Sequence, residues 1–147
     1  MARIEARAPA RTKRLEIEHL AVSQFVRRPE QYVAITLPRP LSTTDLWKPR
    51  PGGGIMKTPA YKAWISECGY ALLTQRPGRI DGTYSIKITV QDGLKIDLGN
   101  VEKSCSDLLE HHGVIENDRL CRRLECEWSA KVVGVHILLI AMKRGST

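Results

Sequence analysis

The chain has 147 residues, 42% hydrophobic and 27% charged, which fits one globular domain with a sizeable core and excludes disorder of the whole chain. Lys and Arg outnumber Asp and Glu by 23 to 16, and the net charge of +7 points to a polyanionic partner, nucleic acid first. The most apolar stretch, residues 132–142, is interrupted by His136 and falls short of the roughly 20 residues a membrane span needs. No apolar run follows the basic N-terminus as it would in a secretory signal, so the expectation is a cytoplasmic protein with no membrane partner.

Residues 1–28 carry Arg3, Arg7, Arg11, Lys13, Arg14, Arg27 and Arg28 around a weak helical stripe of Leu15, Ile17, Leu20, Ala21 and Phe25. They read as a basic N-terminal extension, either an arm for DNA or an untidy terminus, appended to a domain spanning 29–147. Residues 31–37 (QYVAITL) read as a first strand, stopped by Pro38. The Pro- and Gly-rich stretch that follows, through Gly52-Gly53-Gly54 to Met56, reads as a long loop without regular structure. Residues 58–76 predict a helix, with Thr58 as N-cap, Pro59 at its first position, and Ala60, Trp64, Ile65, Cys68, Ala71 and Leu72 on its apolar face.

Tyr84, Ile86, Ile88 and Val90 alternate with Ser85, Lys87 and Thr89, the pattern of a half-buried strand, and Asp92-Gly93 is a turn. Residues 100–112 predict a second helix, capped by Asn100, stopped by Gly113, and facing inward with Val101, Cys105, Leu108 and Leu109. Alternation over residues 123–128 predicts a third strand, and a short turn leads to a last strand over 132–142. That strand is apolar on both faces and therefore central. The order β-α-β-α-β-β, with a closing hairpin, predicts an α/β (α+β) single domain: one mixed β-sheet with helices packed on it. Cys68, Cys105, Cys121 and Cys126 have no zinc-site spacing and read as buried free thiols. His111 and His112 read as complements to a helix dipole, and His136 as a core or interface residue.

The chemistry-bearing residues cluster around the second helix. Asp97 precedes it, Lys103 projects from its start, Asp107 lies one turn later on the same face, and Glu116-Asn117-Asp118 follows it. Acids on separate segments suit a hard divalent cation, and a lysine adds positive charge beside a phosphate. The same residues also serve as turn acids and surface ion pairs, and residue types alone leave that choice open.

Three blocks, in order, resemble the RusA family of Holliday junction resolvases, over roughly residues 31–143. Leu37-Pro38-Arg39-Pro40-Leu41-Ser42 resembles the family's strand-end Pro-rich opening. Thr58-Pro59-Ala60-Tyr61-Lys62 is similar to the start of its first helix. Most specific is Asp97-Leu98-Gly99-Asn100, followed by Lys103, Asp107-Leu108-Leu109 and Asn117-Asp118, against a pattern of D-x-D-N-x-x-K, D-x-L and D-D. Gly99 stands where the family has its second acid, Asn117 where it has the first of the D-D pair, and Ile96 where it has a basic residue.

The resemblance implies a RusA-like fold and a Mg²⁺-dependent crossover junction endodeoxyribonuclease, a homodimer that nicks four-way branched DNA symmetrically in recombination and repair. It assigns Asp97, Lys103 and Asp118 as catalytic residues, Asp97 and Asp118 as metal ligands, and Asn100 and Asp107 as support. Glu116 is the acid expected to take over the ligand role missing at Gly99. Lys48, Arg50, Lys57, Lys62 and Lys95 are the expected DNA contacts. The alternative is a branched-DNA-binding protein whose cleavage is weakened or lost through Gly99.

Overall fold

The computed structural model describes residues 31–142; the expected extension over 1–28 lies outside the described residues. Four strands form a mixed sheet in the order β1-β6-β4-β5, where β1 is Tyr32–Leu37, β4 Tyr84–Gln91, β5 Cys121–Ser129 and β6 Val135–Ala141. Helices α1 (Pro59–Gln75) and α2 (Leu98–His111) follow β1 and β4 in the chain. A separate two-stranded sheet pairs β2 (Trp47–Pro49) with β3 (Ile55–Lys57). The α+β class with one mixed sheet is as the sequence pattern predicts.

The strand alternation of β4 translates directly into burial: Tyr84, Ile86, Ile88 and Val90 are buried, and the residues between them are half-buried. On the same face, Ile88 pairs with Ile137, and Ile137 with Ile35. Those side chains share one core with Trp64, Cys68 and Leu72 of α1 and Val101, Cys105 and Leu109 of α2. Both helices therefore pack on one face of the sheet. The other face runs in rows such as Ala34, Leu138, Lys87 and Glu125, with Lys87 Nζ 3.3 Å from Glu127.

The last strand is central, between β1 and β4, as its two-sided apolar character predicts. The expected closing hairpin is not formed. β5 pairs in parallel with β4 on its far side, and β6 pairs antiparallel with β4 and β1, so β4 separates the two consecutive strands. Burial decides this. Every residue of β6 from Val135 to Leu139 except His136 is buried, and β5, with its charged alternation, serves as an edge. Strand β6 begins at Val135, later than expected, because Gly134 turns the chain at φ +73° against the carbonyl oxygen of Leu37.

Three further expectations change. The stretch expected to be structureless contains the β2–β3 ribbon, whose tip Gly52-Gly53-Gly54 has positive φ throughout. Among the α1 residues, Tyr61 and Gly69 are buried and Ala60 is exposed. Cys68 and Cys105 are buried free thiols, but Cys121 and Cys126, on the edge strand, are only half-buried. Among the described residues, no helix is long and apolar enough to cross a membrane.

Candidate functional site

Helix α2 starts two residues earlier than its pattern suggests, and this changes what Asp97 does. Asp97 is the N-cap: its Oδ1 accepts the Gly99 N–H at 2.8 Å, satisfying a donor the helix leaves open. Asn100, expected to cap, lies inside the first turn, and its N–H bonds to the Asp97 carbonyl at 3.1 Å. The Asp97 N–H donates to Thr43 Oγ1 at 3.0 Å, which ties the start of α2 to the 3-10 turn Thr43–Asp45. The next segment is pinned as well, since the Thr58 N–H donates to the Leu46 carbonyl at 3.1 Å and its hydroxyl to that of Asp45. The Pro-rich block after β1, the start of α1 and the start of α2 are thus joined by hydrogen bonds.

Lys103 stands in the second turn of α2. Its Nζ lies 2.9 Å from Asp107 Oδ1, the i,i+4 pair read from spacing, and 3.3 Å from Asp118 Oδ2. After Gly113 (φ +70°) the chain turns back, and the 3-10 turn Asp118–Leu120 brings Asp118 alongside the middle of the helix. Asn117 caps that turn by accepting the Arg119 N–H at 2.9 Å. The carboxylates of Asp107 and then Asp118 hold the Lys103 ammonium above its ordinary pKa, so it is fully charged at neutral pH.

The structure therefore brings Lys103, Asp107 and Asp118 together. Asp97 stands six residues before Lys103, roughly 9 Å along the helix axis. Glu116 is elsewhere: it lies 4.0 Å from Arg79, which also pairs with Asp81 at 2.7 Å. The acid that reaches Asp118 is Glu110, whose Oε1 accepts the Asp118 N–H at 3.1 Å. Sequence reasoning missed Glu110, although the spacing 103, 107, 110 places it on one helix face.

Glu102 is the other neighbour, bonded to the Ser106 hydroxyl at 2.8 Å. Burial first, then the charges of Cys121, Asp118, Glu102 and Glu110, keep the Tyr84 hydroxyl well above its usual range.

Between α1 and α2 lies a cleft of ≈ 420 Å³, walled by Lys57, Tyr61 and Ile65 on one side and Asp107, Glu110 and His111 on the other. Its floor is fixed by the buried hydrogen bond between the Tyr61 hydroxyl and Ser104 Oγ, at 3.0 Å. Asp107 and Glu110 are shared with the Lys103 group, so the cleft opens beside it. Lys48, Arg50, Lys57, Lys62 and Lys95 are all exposed, the first three on or next to the β2–β3 ribbon.

The donor set suits Mg²⁺ in kind and falls short in number. Carboxylate oxygens are its preferred ligands, and it keeps several waters. Among the described residues, however, no group of three or more His, Cys, Asp or Glu side chains is placed to hold a metal ion. No protein-family model matches the chain, and no curated protein matches it.

Proposed function

We propose that this chain is a structure-specific endodeoxyribonuclease that binds four-way branched DNA and cuts it in recombination and repair. The observation that carries the reading is the return of Asp118 to Lys103, across 15 residues of chain, beside a cleft that Lys57, Asp107 and Glu110 help to line. Three of the residues on which the family resemblance rests, Lys103, Asp107 and Asp118, lie within contact distance of one another, while Asp97 caps the start of the helix.

Lys103 supplies a permanent positive charge where a scissile phosphate would dock, held in position by Asp107 and Asp118. Lys57 and Lys62 bring the DNA backbone to the cleft. Asp97 and Asp118 would hold Mg²⁺, which when bound stabilises the charge that builds up on the phosphodiester oxygens. The protein would act as a cytoplasmic homodimer, because a four-way junction has two-fold symmetry and two copies place their nicks symmetrically.

A second reading is favoured by Gly99 and by the absence of a three-acid group among the described residues. In it, the chain recognises branched DNA and cuts weakly or not at all.

One experiment tests both: a labelled four-way junction and its matched duplex, incubated with the full chain across a Mg²⁺ titration. The nuclease reading expects paired nicks in the junction and none without metal. Tight junction binding with no nick at any Mg²⁺ concentration moves the conclusion to the second reading. Equal affinity for junction and duplex rejects both.

A further inference from the structure

The ribbon Trp47–Lys57 has features that the acid cluster does not explain. Over residues 46–63 the sequence has four cations, Lys48, Arg50, Lys57 and Lys62, and no acid. Within that basic segment two large apolar side chains stand in solvent: Trp47 is 43% exposed and Ile55 64%. In the antiparallel register Trp47 lies opposite Lys57, and Pro49 opposite Ile55. Side chains of directly opposed residues share a face, and so do residues two apart along a strand. Trp47, Pro49, Ile55 and Lys57 therefore form one face, and Lys48 and Met56 the other.

The root of that face is anchored. The Trp47 ring packs edge-on against Tyr61, with centroids 5.5 Å apart, and Lys57 Nζ sits 5.6 Å from the Tyr61 centroid. Lys57 and Tyr61 are also wall residues of the cleft, so the ribbon rises from its mouth. Its outer end is free of packing: a Cβ built on Gly52, Gly53 or Gly54 meets nothing within 4 Å. A two-stranded ribbon of this kind has the width to enter a DNA groove.

We propose that the apolar face of this ribbon is a base-stacking platform, which takes up nucleotides unpaired at a DNA branch point while its cations hold the flanking phosphates. Charge complementarity selects the polyanion. An indole and an aliphatic side chain held among cations select a ligand with both a flat apolar surface and adjacent negative charge, which an unpaired nucleotide has, whereas duplex DNA presents the charge and keeps its base faces stacked inside. The proposal rests on the DNA reading above and assigns the preference for branches to Trp47 and Ile55, with Lys48 and Arg50 contributing affinity for any DNA.

The test measures affinity of the full chain for three labelled DNAs of equal length: a perfect duplex, a duplex with a short run of unpaired thymines, and a four-way junction. Wild type is expected to bind the two interrupted DNAs more tightly than the duplex. Trp47→Ala should remove roughly tenfold of that preference, the scale of one aromatic–base stack, and leave duplex affinity in place. Because Trp47 also touches Tyr61, Ile55→Ser, at a solvent-exposed position, is measured alongside and should lower the same ratio with an unchanged melting temperature. Lys48→Ala with Arg50→Ala should weaken all three DNAs alike. If Trp47→Ala and Ile55→Ser both keep the wild-type ratio, the platform is wrong and the DNA reading stands. If wild type binds none of the three DNAs, the DNA reading itself fails and takes the platform with it.

Discussion

Lys103 and Asp118 are joined by a 3.3 Å contact between an α-helical side chain and a carboxylate on a turn 15 residues later. With Asp107 they form a group of one cation between two anions, all partly exposed. Exposed pairs of this sort contribute little to stability, a median of about 0–1 kcal/mol. A large effect of substitution here therefore reports function. Asp118→Asn and Asp97→Asn should each abolish junction cleavage and leave junction binding unchanged or tighter, since each removes a negative charge near the DNA. Cleavage at the wild-type rate by Asp118→Asn would remove it from the site. Asp97→Asn keeps a capping side chain, so its melting temperature should hold.

Gly99→Asp restores the acid of the family pattern at a place that can accept it. Gly99 lies in the first turn of α2, outside the positive-φ positions, and a Cβ there meets only the capping carboxylate of Asp97, at 3.2 Å, which must give by a few tenths of an ångström. Losing a helical glycine and adding an acid near the helix N-terminus both favour folding, against repulsion from Asp97. The variant should stay within about 1 kcal/mol of wild type. It should reach half-maximal cleavage at a lower Mg²⁺ concentration than wild type. A folded variant with an unchanged Mg²⁺ requirement would show that position 99 faces away from the site.

Salt should weaken DNA binding steeply. Each phosphate neutralised by a cation releases condensed counterion, and the slope of log affinity against log salt changes by about 0.9 per contact. Replacing Lys48, Arg50, Lys57 and Lys62 together by Ala should flatten that slope by roughly 3 to 4. Affinities at several salt concentrations read this directly, and a slope equal to that of wild type would place the phosphate contacts elsewhere.

Alkali should destabilise the fold through its thiols. Burial first, and then Glu67, raises Cys68 to about 12; burial and then Glu102 and Glu127 raise Cys126 to about 11; burial also raises Cys105 well above its ordinary value. Groups whose folded pKa is raised stabilise the native state below the unfolded value of 9.0, and that contribution is lost as pH rises from there toward the folded value. The loss approaches about 1.4 kcal/mol per pH unit for a buried thiol such as Cys68 or Cys105, and is smaller at the half-buried Cys126, where solvent screens the charge. Urea midpoints should be flat from pH 7 to 8.5 and fall beyond pH 9, and Cys68→Ala should show a shallower fall. A midpoint that rises above pH 9 contradicts the burial of these thiols.

Two glycines should respond to alanine very differently. A Cβ at Gly134 lands 2.3 Å from the Leu37 carbonyl oxygen at a φ of +73°, so Gly134→Ala combines backbone strain with a main-chain clash and should cost more than about 3 kcal/mol. At Gly52 (φ +91°) nothing lies nearby, and Gly52→Ala should cost only the left-handed backbone, about 1 kcal/mol. Comparable losses in thermal denaturation would contradict the close packing of β1 against the turn before β6.

What the sequence determined by itself was local. The period-2 pattern over Tyr84–Gln91 set which side chains point inward, and Thr58, Pro59 and Pro77 bounded α1, because caps and proline act within a turn of their own position. The apolar run of β6 marked a central strand, since the side chains of flanking strands help to cover those of the strand between them. The i,i+4 pair of Lys103 and Asp107 followed from helix geometry. Tertiary structure alone decided which strands flank β6, because the pairing of β6 with β1 and β4 is a choice among distant partners that no local pattern encodes. It also decided the β2–β3 ribbon, whose three-residue strands are too short to show a period, and the role of Asp97, which depends on where α2 begins. The meeting of Asp118 with Lys103 and Glu110 depends on the turn at Gly113 and on the packing of β5 beside β4, so the sequence could supply the residues of the candidate site but not their convergence.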